Sequence, residues 1–478
     1  MQTHNITPKF IIAGIFLALL FHSCGITKPE PLPALKKLPE TAFNVQDSLV
    51  KPIDWENLFV QEDLKRLIDT ALQHNLDLKT GVQRVLMANA HLKLTRAQLL
   101  PSLNAHVSGG LDKFGDYTMN GVGNYDTNFS PNINNDQMIP NPTPDFFAGF
   151  RSSWEIDIWG KLSKRKQAAY HRYLASKQGL QWYKTQLVSQ IAEMYYEMVA
   201  LDKKLEILKR NITLQERGLE IIEAQLAGGR ATALAVSQFK AQLMATKGKQ
   251  FEIKQAITAV ENGINTLLGQ FPTSLERDTA AINKAIPQKF ISAIQVTKLL
   301  ARPDIQEAEL ELKAAKADVA AARKAFLPSL SINAYAGYHA FRFPLLFSPG
   351  SLASGFLGGL TAPIFNRAEL KNNNLVANAG QLSAFYNYQN SIIKGYEEVS
   401  TQLSAMHNFQ QAYQLKAQEV AELKQAVASA NDLYLAGYAS YLEVIVAQAS
   451  VLNAEMEQVD LKKASFNSII GLFRSLGG

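Results

Sequence analysis

The sequence predicts an α+β protomer, internally duplicated, built from very long coiled-coil helices and four β-strands. Three observations carry that prediction. A hydrophobic heptad seam runs for more than five repeats, a second seam of the same kind follows in the C-terminal half, and a set of short phrases recurs in the same order in each half. The composition agrees: of 478 residues, 47% are hydrophobic and 19% charged, too apolar for a disordered chain. No 18-residue apolar run occurs after the N-terminus, which argues against a polytopic helical membrane protein. A single cysteine excludes a disulfide framework and a multi-cysteine metal cluster.

The first element is an address segment. Lys9 gives residues 1–23 a positive start, and Phe10 to Leu20 is apolar but too short to cross a bilayer core of about 30 Å. Phe21-His22-Ser23 then leads to the lone Cys24. The pattern resembles a lipoprotein signal peptide, after whose removal Cys24 is lipidated and becomes the new N-terminus. Residues 24–60 read as a lipidated tether, extended by Pro29, Pro31, Pro33 and Pro39. Loss of residues 1–23 removes Lys9 and no acid, so the formal charge falls from +6 to +5. No basic block exceeds Lys164-Arg165-Lys166 and no aromatics interleave with it, so the charge reads as solvated surface and no nucleic-acid partner is expected.

The first repeat, residues 61–269, contains the stronger seam. Leu187, Ile191, Met194, Met198, Leu201, Leu205, Leu208, Ile212, Gln215, Leu219, Ile222 and Leu226 step by four and three throughout, with Gln215 the one polar member. The second repeat, residues 301–478, carries Leu382, Phe385, Ile392, Tyr396, Val399, Leu403 and Met406 in the same way. A helix of about 60 residues is about 90 Å long, a length that indicates coiled-coil packing. Each long helix is interrupted by a similar phrase, at 226–236 and at 434–444, where Gly229 and Gly437 end one helix and Thr232 or Ser440 caps the next. Each phrase is therefore the tight tip of a helical hairpin, and the two tip glycines lie 208 residues apart.

Strands lie between the helices. Leu100-Pro101-Ser102-Leu103 echoes Leu327-Pro328-Ser329-Leu330, and Trp159 echoes Phe365. The helical period disappears in both places. Four strands are expected, at about 102–116, 143–159, 329–343 and 352–366, paired through loops at 117–142 and 344–351. Residues 270–300, with Pro272 and Pro287, separate the repeats as an equatorial segment. The plain alternative is a small water-soluble sheet. The signal segment, the aromatic strand ends and the strand lengths favour a bilayer-spanning sheet. An open sheet edge in lipid leaves backbone groups unpaired, and four strands are too few to close a barrel. The protein then pools strands as an oligomer: two chains supply eight and three supply twelve.

These phrases in this order resemble the outer membrane factor family of the TolC/OprM type, and more closely its lipoprotein branch. The resemblance rests on the Cys24 tether, the doubled halves, the Leu-Pro switches and the two Ala-Gly-x-Ala-Ser/Thr tips, over the whole mature chain. It implies a homotrimer with a 12-stranded outer-membrane β-barrel, continued by an α-helical tunnel in the periplasm of a Gram-negative bacterium. It implies a passive exit duct for a tripartite efflux system, gripped at its tips by a periplasmic adaptor (a membrane fusion protein) and coupled through it to an inner-membrane pump of the RND type. By position, the adaptor-contacting tips are Gly229, Arg230, Gly437 and Tyr438, and the periplasmic entrance is formed by Tyr434, Leu442, Glu443 and Val446. Tyr434 matches a tyrosine that holds the closed entrance by inter-helix bonds, Leu442 an apolar constriction, and Glu443 an acidic ring. This chain departs from the family pattern at Ala235 and Val446, where many members carry acids. At most one acidic ring remains, so a more apolar closed entrance is expected.

No HExxH, Walker A, dinucleotide or GxSxG pattern occurs, and the eight histidines are scattered, so no catalytic residue, metal site or cofactor is expected. Met194 and Met198 fall on the seam as packing residues, and Trp154 and Trp159 read as membrane-interface anchors. Two other functions remain open: the outer-membrane component of type I protein secretion, and a lipid-anchored periplasmic coiled-coil adaptor that forms no pore.

Overall fold

The computed structural model describes residues 31–36, 55–279, 281–283, 299–363 and 367–478. The signal segment with Cys24, most of the tether, residues 284–298 of the equatorial segment, and Phe365 lie outside the described residues. After a short helical turn at Trp55–Leu58, the chain forms α1 (Glu62–His74), α2 (Leu76–Ala97), β1 (Ser102–Asp112), α3 (Met119–Asn128), β2 (Thr143–Ile156) and α4 (Lys161–Ala227). It continues with α5 (Ala233–Leu267), α6 (Pro303–Lys324), β3 (Ser329–Ala340), β4 (Leu352–Thr361), α7 (Arg367–Leu435) and α8 (Tyr441–Ser475). No helix among the described residues is long and apolar enough to cross a membrane.

The chain forms two compact units, and they cut across the sequence repeats. Among the described residues, one takes 31–33, 88–173, 311–363 and 367–385; the other takes 34–36, 55–87, 174–279, 281–283, 299–310 and 386–478. The cause is strand pairing. β2 of the first repeat is hydrogen-bonded to β3 of the second, so both repeats give their strands to one unit.

In the first unit the sheet order is β1-β2-β3-β4, with every neighbouring pair antiparallel. The strands are shorter than the sequence expectation at their C-terminal ends. β2 stops at Ile156, not at 159, because the Asp157 carboxylate accepts the N–H groups of Leu162 (2.9 Å) and Ser163 (2.7 Å) and so caps α4. β1 ends at Asp112 instead of 116, where its partner β2 begins opposite it at Thr143, just after Pro142, which has no N–H to donate. β3 gives way at Ala340 to a 3₁₀ turn over Phe343–Leu345, and β4 ends at Thr361. Both tryptophans tie strands to the Leu-Pro switches. Trp154 Nε1 donates to the Leu99 carbonyl at 3.0 Å, and Trp159 Nε1 donates to the Pro328 carbonyl at 2.7 Å.

In the second unit the α4 seam is the core. Leu187, Ile191, Met198 and Leu208 pack with Leu64, Ile68 and Ala71 of α1, Ile264 of α5, and Phe466 and Ile470 of α8. Burying each such aliphatic side chain contributes about 1.5–3 kcal/mol. Helix α1 joins this core because Leu64, Leu67, Ile68 and Ala71 form one stripe at helical spacing. Tyr196 stacks on Phe466 at 4.2 Å and 11°. Ion pairs flank the seam, Glu197–Lys463 at 2.7 Å and Lys204–Asp460 at 2.7 Å, and add little beyond register.

Two arginines that the sequence reading did not single out lie in and just after the equatorial segment. Arg277 is held by Asp202 and Glu261, each at 2.5 Å. Arg302, 1% exposed, binds Asp304 at 2.8 Å, donates to the Ser475 carbonyl at 2.9 Å, and lies over the Trp182 ring. Removing either partner set would leave a buried charge uncompensated.

Candidate functional site

Two regions have the geometry of a working surface: the sheet of the first unit and the hairpin tips of the second. The sheet is two-faced because side chains alternate along each strand. The ladder register puts Leu103, Val107 and Leu111 of β1 on one face with Phe146, Ala148 and Phe150 of β2, Ala336 and Tyr338 of β3, and Leu352, Phe356 and Leu360 of β4. Most of these are open to solvent in the single chain, Val107 by 81%. A contiguous apolar face of this kind on a sheet demands cover. The opposite face carries Asn104, His106, Asp145, Arg151, Asn333 and His339. At its centre Phe147 is buried under the rings of His106, Tyr335 and His339, each with its centroid 6.0 Å away, and under Arg151 at 5.0 Å. His339 also pairs with Asp145 across the β2–β3 ladder. The sequence reading missed this cluster, although the even spacing of Asp145, Phe147 and Arg151 puts all three on one side. The strands β1 and β4 each lack a partner on their outer edge among the described residues.

The tips are built twice with one geometry. At the first, the Arg230 N–H donates to the Gln225 carbonyl at 2.8 Å and the Gly229 N–H to Leu226 at 3.0 Å. At the second, the Tyr438 N–H donates to Leu433 at 2.9 Å and the Gly437 N–H to Tyr434 at 3.1 Å. Both are Schellman closures, which need a left-handed residue, supplied by Gly229 at φ +70° and Gly437 at φ +81°. Thr232 Oγ1 then accepts the Ala235 N–H at 3.2 Å, and Ser440 Oγ accepts the Leu442 N–H at 3.3 Å, to start α5 and α8. Arg230 is exposed, and Tyr438 is 85% exposed.

The fold brings the two hairpins together next to these turns. Ile222, Ala235, Val236 and Phe239 of the first form a small core with Val444 of the second, joined by Tyr434, Tyr441 and Ile445. The Tyr434 hydroxyl donates to Oε1 of Gln225, and burial pushes the phenol up, so it is a proton donor at neutral pH. Ala235, at the start of α5, is completely buried in this small core. Sequence reasoning missed Gln225, because nothing local marks a partner that lies 209 residues away.

Leu442 and Val446 point away from this core and are exposed. Glu443, the third residue of α8, reaches back to the Ser440 hydroxyl, a variant of the capping box. The Ser440 hydroxyl and neighbouring backbone N–H groups hold the Glu443 carboxyl below its ordinary value. The sequence reading gives Ser440 as the cap and Glu443 as an acidic ring, and the structure hydrogen-bonds the two. Among the described residues, no group of three or more His, Cys, Asp or Glu side chains could hold a metal ion.

The comparisons with known proteins bear on both regions. Outer membrane lipoprotein SilC of Salmonella typhimurium, described as probable, is 28% identical over 475 residues, covering 99% of this chain and 98% of its own. The cation efflux system protein CusC of Escherichia coli is 27% identical over 468 residues, covering 97% and 98%. A crystal structure of CusC, from work on folding and transmembrane channel formation, matches with a TM-score of 0.78 and 26% identity, covering 94% of this chain and 99% of that one. The family model described as outer membrane efflux protein matches residues 67–270 and 296–478, and this chain belongs to that family.

Proposed function

We propose that the chain is the outer-membrane exit duct of a tripartite efflux system, working as a homotrimer. The observation that carries the reading is the two-faced, open-edged sheet. Lipid covers its apolar face, and the unpaired edges of β1 and β4 join between copies, since a spanning sheet must close. Three copies give twelve strands, above the minimum of about eight for a membrane barrel. The polar face with His106, Arg151 and His339 then lines the lumen. Trp154 and Trp159 sit at one membrane interface. Cys24 carries the lipid anchor, a role supported by the lipoprotein description of SilC.

The duct is passive. Its hairpin tips at Gly229, Arg230, Gly437 and Tyr438 meet a periplasmic adaptor, and the adaptor couples them to an inner-membrane pump of the RND type. Tyr434 fastens the resting entrance through Gln225, and Leu442, Glu443 and Val446 face the opening. The Ser440 hydrogen bond favours an ionised Glu443, while three such carboxylates around one axis would repel and oppose it. The efflux name of CusC favours this reading over protein secretion.

The test is single-channel conductance of the purified protein in a planar bilayer, with its mass in detergent measured alongside. A three-chain particle with small, flickering conductance is expected, and Glu443→Gln should lower its cation selectivity. A monomer that opens no pore overturns the duct.

A further inference from the structure

The α4 seam has one polar member, Gln215, and the reason lies in a cavity. In the second unit a cavity of about 370 Å³ opens among α4, α7 and α8. Its walls are apolar, chiefly Leu214, Ile221 and Ile222 of α4, Val427 of α7, and Val444 and Val451 of α8. One end is charged. Arg210 (2.6 Å) and Lys424 (2.8 Å) share the buried carboxylate of Glu455. Arg217 also lines the cavity, is exposed, and has no ion-pair partner among the described residues. Gln215, 2% exposed, lines the cavity too, and neither atom of its carboxamide is hydrogen-bonded. A buried amide left unpaired calls for a specific explanation.

We propose that this cavity binds an anionic amphiphile: a carboxylate or sulfonate head on a compact hydrocarbon or aryl body. The charged end holds three cations against one carboxylate. Arg210 engages Glu455 through Nη2 alone, which leaves its other guanidinium donors, most of the Lys424 ammonium and the whole of Arg217 unused. The only carboxylate there already serves two cations, so the polar end keeps an excess of positive charge beside the neutral amides of Asn211, Gln215, Asn431 and Gln448. An anion satisfies it, whereas a cation meets repulsion and a neutral apolar molecule leaves the donors idle. The volume lies within the range of small-molecule pockets, about 300–1,000 Å³. A rotation of the Gln215 side chain gives the bound head one more donor.

The test uses two fluorescent probes of one shape on the full-length protein in zwitterionic phosphatidylcholine nanodiscs, with empty nanodiscs as the blank. One probe is anilinonaphthalene sulfonate; the other is phenylnaphthylamine, the same rings without the sulfonate. Saturable binding is expected, about tenfold tighter for the sulfonate, the scale of one charge-assisted hydrogen bond. Arg217→Gln should shrink that preference while leaving the helical circular dichroism unchanged. Val427→Trp should fill the cavity and abolish saturable binding of both probes. Equal affinity for the two probes, or a preference untouched by Arg217→Gln, overturns the proposal. The Arg217→Gln comparison decides the matter even where Val427→Trp fails to fold.

Discussion

The two hairpin tips share a backbone and differ in what they carry. Each ends its helix in the same pair of hydrogen bonds around a left-handed glycine, and each restarts after a hydroxyl cap three residues on. Yet the third residue of the returning helix is a buried Ala235 in one and an exposed Glu443 in the other. Three residues before each glycine the contrast repeats, with an exposed Leu226 at the first tip and a hydrogen-bonded Tyr434 at the second. The turn code is local and was copied whole. The side-chain environment is tertiary: α5 enters the small core through Ala235, Val236 and Phe239, while α8 is fully buried there only at Val444. The first tip is thus the packed one, and the second keeps free groups at its surface.

Exchanging the third residues should break this contrast most sharply. Ala235→Glu forces a larger, charged side chain into a completely buried position beside Ile222, Val236 and Phe239, and a destabilisation of about 3 kcal/mol is expected. Glu443→Ala removes only an exposed cap and should cost far less. Helical circular dichroism on heating measures both, and equal losses would show that the tips are packed alike. Next in size, Gly229→Ala and Gly437→Ala should each cost about 1–2 kcal/mol, the penalty of a side chain in the left-handed region. The two costs should match, since nothing lies within 4 Å of a Cβ at either position. A marked difference between them would mean that one tip is held by more than its turn.

What the sequence revealed follows the same division between local and tertiary. The heptad seam, the glycine-ended tips and the Leu-Pro switches are local codes, and each describes its own element. The strands were legible from alternation, but their ends were not. Asp157 looks like strand continuation until its carboxylate is seen capping α4 from outside the helix. Gln215 stood out as a polar break in the seam, but only packing shows the cavity beside it. Gln225 and Arg277 carried no local signal, because each is defined by a partner distant in sequence, and Arg302 adds the distant Ser475 carbonyl to its near neighbour Asp304. Ser440 and Glu443 were each legible, one as a cap and one as an entrance acid, and only the side-chain hydrogen bond between them joins the two.

A smaller effect sharpens the comparison at Tyr434. Tyr434→Phe and Gln225→Ala should each cost about 1 kcal/mol or less, and a double-mutant cycle between them should return most of that as coupling. Leu226→Phe, at the matching position of the first tip, should show no coupling to Leu433, the counterpart of Gln225. Additive losses at Tyr434 and Gln225 would mean that the bond fastens nothing.

The smallest expected effect concerns pH and belongs to the second tip alone. The Ser440 hydroxyl and the backbone N–H groups of Ser440 and Glu443 favour the ionised carboxylate, so the folded pKa lies below the ordinary value of 4.5. A depressed carboxyl pKa contributes stability that is complete above the unfolded value and is lost as pH falls through the folded one. The native chain should therefore hold a melting advantage over Glu443→Ala at neutral pH and lose it progressively below pH 4.5. Thr232→Ala, which weakens the first tip through a group that does not titrate, should keep the same deficit across that range. If both deficits stay constant as the pH falls, the Glu443 carboxylate does not cap α8. The second tip would then be left with the hydroxyl cap alone, the same device as the first.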